Sequence, residues 1–298
     1  MKLEYHKEKN FGDALNPIVF HYFLPDFFDE DSSSIFLGIG SILGLKIPKP
    51  NQKIIVFSSG YASGADTTYG PPPQITKNYK IVCVRGPLTA KLLNINPQKA
   101  ITDGAILLAA MHWQDISKKY EISYIPHVGS LDFFDWENFC HEVGLHFINP
   151  KNDPLQVISE IRASKKIISE AMHGAIVDDS FRIPWLSVKA YSTINRFKWK
   201  DWCDSMNLNY NPVILSPLFS KDVSFQIIKN KLPTNAPRFI INLITYNYLF
   251  FQEIFLKYKN RKTLLKIKKI EFNLSKDIIF KSKLNQMLEK IEYIKKNL

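Results

Sequence analysis

The sequence predicts an α/β protein with two doubly wound sheets and a helical extension at its C-terminus. Three observations carry that expectation. Short β-branched apolar runs recur between Ile35 and Val188, and they are apolar at consecutive rather than alternate positions, the pattern of parallel strands buried on both faces. Most lead through a Gly, Pro or Asp turn into a stretch of helical character, the alternation that parallel sheets require. The chain has 298 residues, 45% apolar and 22% charged, which is enough apolar surface to bury a core in about two domains.

In chain order, Ile35–Leu45 reads as a buried strand followed by a Gly turn and a helix start. Lys53–Ser58 is a strand whose C-terminal end opens into Ser58-Ser59-Gly60. Lys80–Arg85 repeats the pattern, and Gly86-Pro87 begins a helix over Leu88–Leu93 with Pro in its first turn. Asp103-Gly104 closes another apolar stretch and leads into Ala105–Met111. Tyr120–Pro126 is a strand ending at His127. Asp153-Pro154 opens a helix to about Ser164, Lys165–Ser169 is a strand, His173–Phe181 a helix and Pro184–Val188 a strand. The boundary falls near residues 115–122. The expected organisation is a domain over 1–118, a second over 119–236, and a basic, apolar helical tail over 237–298.

Charge narrows the partners. The net charge is +11, but Lys257–Leu298 alone holds 13 basic and 4 acidic residues, a net of +9. The rest holds 26 and 24, a net of +2, so the chain as a whole does not read as a nucleic-acid binder. The tail could meet an anionic membrane surface. Phe239–Tyr258 is apolar and helical, and Lys and Arg then alternate with Ile, Leu and Phe to the end. Two readings stand: a helix packed across both domains with a solvated end, or interfacial attachment to lipid. Cys83, Cys140 and Cys203 are widely spaced with no CxxC pair, which supports neither a zinc site nor a disulfide framework. Met1–Asp13 is polar and charged, without the apolar segment of a secretory leader. A cytoplasmic protein is expected, peripheral on the inner membrane face if the tail binds lipid.

Four constellations carry chemistry. Asn10-Phe11-Gly12-Asp13 combines a Gly that admits close backbone approach with an Asp able to cap the following helix. Val84-Arg85-Gly86-Pro87 sets a guanidinium at a strand end before a helix N-terminus, where an anion is favoured. Ser169-Glu170-Ala171-Met172-His173-Gly174 sets a His at another strand–helix junction, with Gly174 leaving room for a ligand. Asn195-Arg196-Phe197-Lys198-Trp199 through Trp202 alternates aromatics with cations, as a sugar-stacking or anion-binding loop or as a packed helix. No clustered His, Cys and carboxylates suggest a metal.

In this order, Asn-Phe-Gly-Asp, Ser-Ser-Gly, Val-Arg-Gly-Pro-Leu-Thr, Thr-Asp-Gly-Ala, Pro-His and Glu-Ala-Met-His-Gly-Ala resemble the polysaccharide pyruvyl transferase family. Ala-Met-His-Gly-Ala, Arg182-Ile-Pro-Trp185 and Phe197–Trp202 resemble its succinoglycan-type exopolysaccharide branch. The resemblance runs from about residue 8 to residue 212. It implies two Rossmann-like domains facing a cleft, similar to GT-B glycosyltransferases. It also implies phosphoenolpyruvate as donor, a sugar or lipid-linked oligosaccharide as acceptor, a pyruvate ketal as product, and no cofactor. His173 and Arg85 match the family's catalytic His and the Arg of its Arg-Gly-Pro turn. Asn10, Gly12, Asp13, Gly60, Gly86, Asp103, His127, Glu170, Met172, Gly174, Arg196 and Lys198 are the expected substrate-binding positions. Many members carry Arg two residues before the His, where this chain has Ala171, so the donor's cation is expected from Arg85, Arg196 or Lys198. The rival enzyme reading is a nucleotide-sugar glycosyltransferase using Glu170 and Asp178, and a non-enzymatic rival is a membrane-peripheral scaffold.

Overall fold

The computed structural model describes residues 1–44, 52–62, 71–220, 222–224 and 238–298, with side chains from residue 253 onward in the last segment. Two Rossmann-like parallel sheets form its body. The first is ordered β1 (Lys2–Glu4), β2 (Ser34–Leu37), β3 (Lys53–Phe57), β4 (Tyr79–Cys83). The second contains β5 (Tyr120–Ile125), β6 (His146–Phe147), β7 (Ser164–Ser169), β8 (Trp185–Lys189) and β9 (Val213–Ile214), in the order β6-β5-β7-β8-β9. Among the described residues every pairing between these strands is parallel, with Ile35 opposite Ile54 in the first sheet and Ile168 opposite Leu186 in the second. Layers on both faces bury such strands, so Ile54 to Phe57 are all buried despite pointing alternately up and down.

The helices start where the sequence supplies caps. They are α1 (Phe11–Phe23), α2 (Pro87–Leu92), α3 (Trp136–Glu142), α4 (Pro154–Arg162), α5 (Met172–Ser180), α6 (Arg196–Ser205), α7 (Arg238–Ile267) and α8 (Asp277–Asn297). Asp153 caps α4 by accepting from the Leu155 and Gln156 amides, and Pro154 and Pro87 sit in the first turns of α4 and α2. Asn10, not Asp13, caps α1: its Oδ1 accepts from the Gly12 amide at 3.1 Å and its Nδ2 donates to Asp13 at 2.8 Å. Gly104–Ala110 forms a buried 3₁₀ stretch capped by Asp103. The helix start expected after Ile35 is absent through residue 44, where the chain turns, and Leu45 lies outside the described residues. The tail boundary at 236–237 lies outside them too.

One apolar cluster joins the two sheets. Phe11 and Leu15 of α1, Leu107 of the 3₁₀ stretch, Ala175 of α5 and Met287 and Ile291 of α8 all belong to it. The C-terminal chain is stitched in before it reaches α8. Asn273 bridges Trp185 through paired backbone hydrogen bonds of 2.7 and 3.0 Å. Asp179 accepts from the Ser275 amide and hydroxyl, and Arg182 donates to Ser275 and Asp277 while stacking 4.6 Å from the Phe280 ring. α8 then buries Phe280, Met287, Ile291 and Ile294.

Candidate functional site

A cavity of about 540 Å³ with polar and apolar walls opens between the two halves. Three α-helix N-termini border it: α1 with Asn10, Phe11 and Asp13, α5 with Met172 and His173, and α6 with Asn195 and Lys198. In a parallel sheet the helices that follow the strands aim their first turns at one edge, so this clustering is a consequence of topology. The α5 terminus carries no side-chain cap, since Ala171 stands at its N-cap. Its first-turn amides therefore remain available to an anion, which the helix dipole also favours. Lys198 is the one Lys or Arg among the described residues lining the cavity. His6, Glu8, Asp132, Phe133 and Trp199 complete a wall that mixes carboxylates, imidazoles and aromatic rings.

His173 sits at the base of this cavity with its side chain 12% exposed. α1 approaches it so closely that a Cβ on Gly12 would lie 2.1 Å from its Nδ1. Its Nε2 is buried, lacks a hydrogen-bond partner, and faces Asp103 Oδ2 at 3.9 Å, an oxygen equally without a partner. Burial, followed by the nearby charges of Arg85, Lys198 and His127, pushes the imidazole down to about 3, so the ring is neutral at physiological pH. Burial pushes the Asp103 carboxyl the other way, up to about 6, against the Ala105 amide that hydrogen-bonds it. Asp13, in the first turn of α1, is likewise raised by burial, with His6 and Lys198 working against the shift.

Of the residues expected at the site, Asn10, Asp13, His127, Met172, His173 and Lys198 line the cavity. Gly12 and Asp103 stand directly behind His173. Others do different work. Arg85 was expected to point into the crevice, but it is fully buried behind the wall. It donates from Nε to Asp201 at 3.0 Å, from Nη1 to Ser41 at 2.6 Å and from Nη2 to the Tyr61 carbonyl at 2.8 Å. Ser41 lines the cavity, so Arg85 shapes the wall through it. Gly60 and Gly86 make room for protein rather than ligand: a Cβ would strike the Arg85 guanidinium at 2.2 Å or the Asp201 carbonyl at 2.1 Å. Gly174 does the same against Ser169 and Ile125.

Glu170 is also internal. It accepts from the His127 amide, the Ser130 hydroxyl and the Ala190 amide, tying together the loops after β5 and β8. Asp178 is buried within α5 and is not among the residues lining this cavity, so the carboxylate pair behind the glycosyltransferase reading does not converge on it. Arg196 faces a separate groove with Lys189 and Tyr210. The Asn195–Trp202 constellation is a helix with Trp199 and Trp202 buried, not a loop.

Sequence reasoning missed His6, Glu8 and Thr193, which reach the cavity from loops, and Asp132 and Phe133, which reach it from the end of the 3₁₀ turn Val128–Asp132. His6 and Glu8 flank the Asn10 motif, the one signal that could have found them. Asp201 carries no sequence signal of its own, because its role depends on Arg85, 116 residues away.

Parallel sheets with a cavity bordered by helix N-termini define a Rossmann-like α/β protein with a cleft between its halves. In sequence, the chain is 36% identical over 205 residues to the succinoglycan biosynthesis protein ExoV of Rhizobium meliloti (strain 1021), a match covering 68% of this chain. It spans 63% of that protein's length. No known family profile matches the chain, and no solved structure does.

Proposed function

We propose that this protein is a transferase of exopolysaccharide biosynthesis that moves pyruvate from phosphoenolpyruvate onto a sugar as a ketal. The observation that carries the reading is the meeting of an uncapped helix N-terminus, Lys198 and a neutral buried imidazole in one cavity. Similarity to a succinoglycan biosynthesis protein supports the pathway class. A donor bearing a phosphate and a carboxylate suits the α5 amides and Lys198. Glu8 and Asp132 supply acceptors for sugar hydroxyls, and Phe133 supplies an apolar face for a sugar ring.

His173 fits a proton shuttle. As a neutral ring it takes the proton of the attacking hydroxyl and delivers it to the donor's methylene carbon, which becomes the ketal's methyl group. The bound donor's negative charge lifts the imidazole's depressed basicity, and Asp103 behind it favours the charged ring. The hydroxyl oxygen bonds to the donor's central carbon. Phosphate then leaves with the C–O bond pair and, after the second hydroxyl attacks, carries away that hydroxyl's proton. The test is acceptor-dependent release of inorganic phosphate from phosphoenolpyruvate. His173→Asn is expected to lower turnover by at least ~10²-fold, the usual worth of a positioned acid–base group. Retention of more than about a tenth of wild-type turnover removes the shuttle.

A further inference from the structure

The second half of α7 presents a face that the fold leaves uncovered. Asn260 hydrogen-bonds both the amide and the carbonyl of Ser216 at 2.8 Å, and Leu264 and Ile267 are buried in the second sheet's core. These contacts fix the helix's rotation. The other side is open: Ile254 is 51% exposed, Phe255 64%, Tyr258 63% and Leu265 46%. Lys259, Arg261, Lys262 and Lys266 are exposed beside them, and no exposed carboxylate occurs from 254 to 266. At 3.6 residues per turn these eight side chains fall within an arc of about 160°. Glu253, the nearest acid, is only partly exposed and already paired with Lys257 at 3.1 Å. Single exposed apolar residues need no explanation, but four large ones held on one fixed face do.

We propose that this face of α7 docks the protein on an anionic lipid surface. The charge pattern selects the occupant. An apolar stripe with Phe and Tyr fits the boundary between acyl chains and headgroups, and the flanking long cations reach anionic headgroups with their ammonium and guanidinium ends. A second copy would set the same four cations against each other. Among the described residues no helix is long and apolar enough to cross a membrane. Attachment along this face is independent of the transfer chemistry proposed above and is read without it.

The experiment is co-sedimentation of the full chain with vesicles of phosphatidylcholine alone and of phosphatidylcholine with one-third phosphatidylglycerol, alongside sedimentation equilibrium without lipid. Binding is expected to the anionic vesicles only and to weaken as salt rises, each cation contributing about fivefold near such a surface. The double variant Lys262→Glu, Lys266→Glu should lower the partition coefficient by well over tenfold, as should Phe255→Ser with Tyr258→Ser, with unchanged melting because all four side chains are exposed. No wild-type binding, equal binding to both vesicle types, or a dimer dissolved by the Phe255→Ser, Tyr258→Ser pair would overturn the proposal.

Discussion

Gly12 and His173 are in contact across the two halves of the molecule: the α-carbon of one backs directly onto the imidazole of the other. The first turn of α1 thereby holds the ring from one side while Asp103 faces it from another. Gly12→Ala would place a methyl group 2.1 Å from Nδ1. The ring or the helix must move, at a typical overpacking cost of about 1–3 kcal/mol. We expect transfer activity to fall by at least ~10²-fold, since displacing a reacting group by about 1 Å has that effect. Unchanged turnover together with unchanged melting would show that the contact is slack.

Arg85 is predicted to act on stability. Replacing it by Met leaves Asp201 buried without its guanidinium, and breaking such a pair costs about 3–5 kcal/mol. The melting temperature should drop by roughly 10 °C. Asp201→Asn should be milder, because the amide oxygen can still accept from the Thr89 amide or hydroxyl. Differential scanning calorimetry of the two variants checks the order.

The pH dependence of stability isolates His173. Its folded value, about 3, lies below its ordinary 6.5. Between those values the unfolded chain binds a proton that the folded chain refuses, so this residue's contribution is full above 6.5 and is lost as pH falls toward 3. Asp103, raised to about 6, works in the opposite sense: its contribution is full below its ordinary 3.8 and is lost as pH rises through 6. His173→Gln removes the first effect and keeps the carboxyl. The difference in unfolding free energy between wild type and His173→Gln should therefore shrink on going from pH 7 to pH 4.5. A difference constant with pH would mean the imidazole titrates normally in the folded protein.

Removal of residues 274–298 is expected to prevent folding. Phe280, Met287, Ile291 and Ile294 each contribute about 1.5–3 kcal/mol on burial, a sum comparable to a domain's whole stability. Circular dichroism of the shortened chain checks this, and a cooperative thermal transition near that of the full chain would contradict it.

The strands were legible because β-branched runs buried on both faces cannot be anything else at that length: Lys53–Ser58 and Lys165–Ser169 correspond to β3 and β7 to within a residue or so. β1, β6 and β9 were not, since two or three residues carry no periodicity. At the site, the strand–helix junction at Ala171–His173 could be read because topology alone aims it at the cleft. Arg85 and Glu170 could not, although they stand at similar junctions. Residue type shows that a charge is present, and only the distant partners Asp201 and Ala190 decide that it turns inward. The glycines failed for the same reason, as close approach of Gly60 to a guanidinium and of a backbone to a ligand look alike in sequence.

Calorimetric titration with phosphoenolpyruvate, wild type against Lys198→Ala and with UDP-, GDP- and CMP-sugars in parallel, tests the central claim most directly. The account predicts that phosphoenolpyruvate binds, that the nucleotide sugars do not, and that Lys198→Ala weakens binding by about tenfold or more, the worth of one charge-assisted contact. Binding of a nucleotide sugar with none of phosphoenolpyruvate, or phosphoenolpyruvate affinity unaltered in Lys198→Ala, would contradict it.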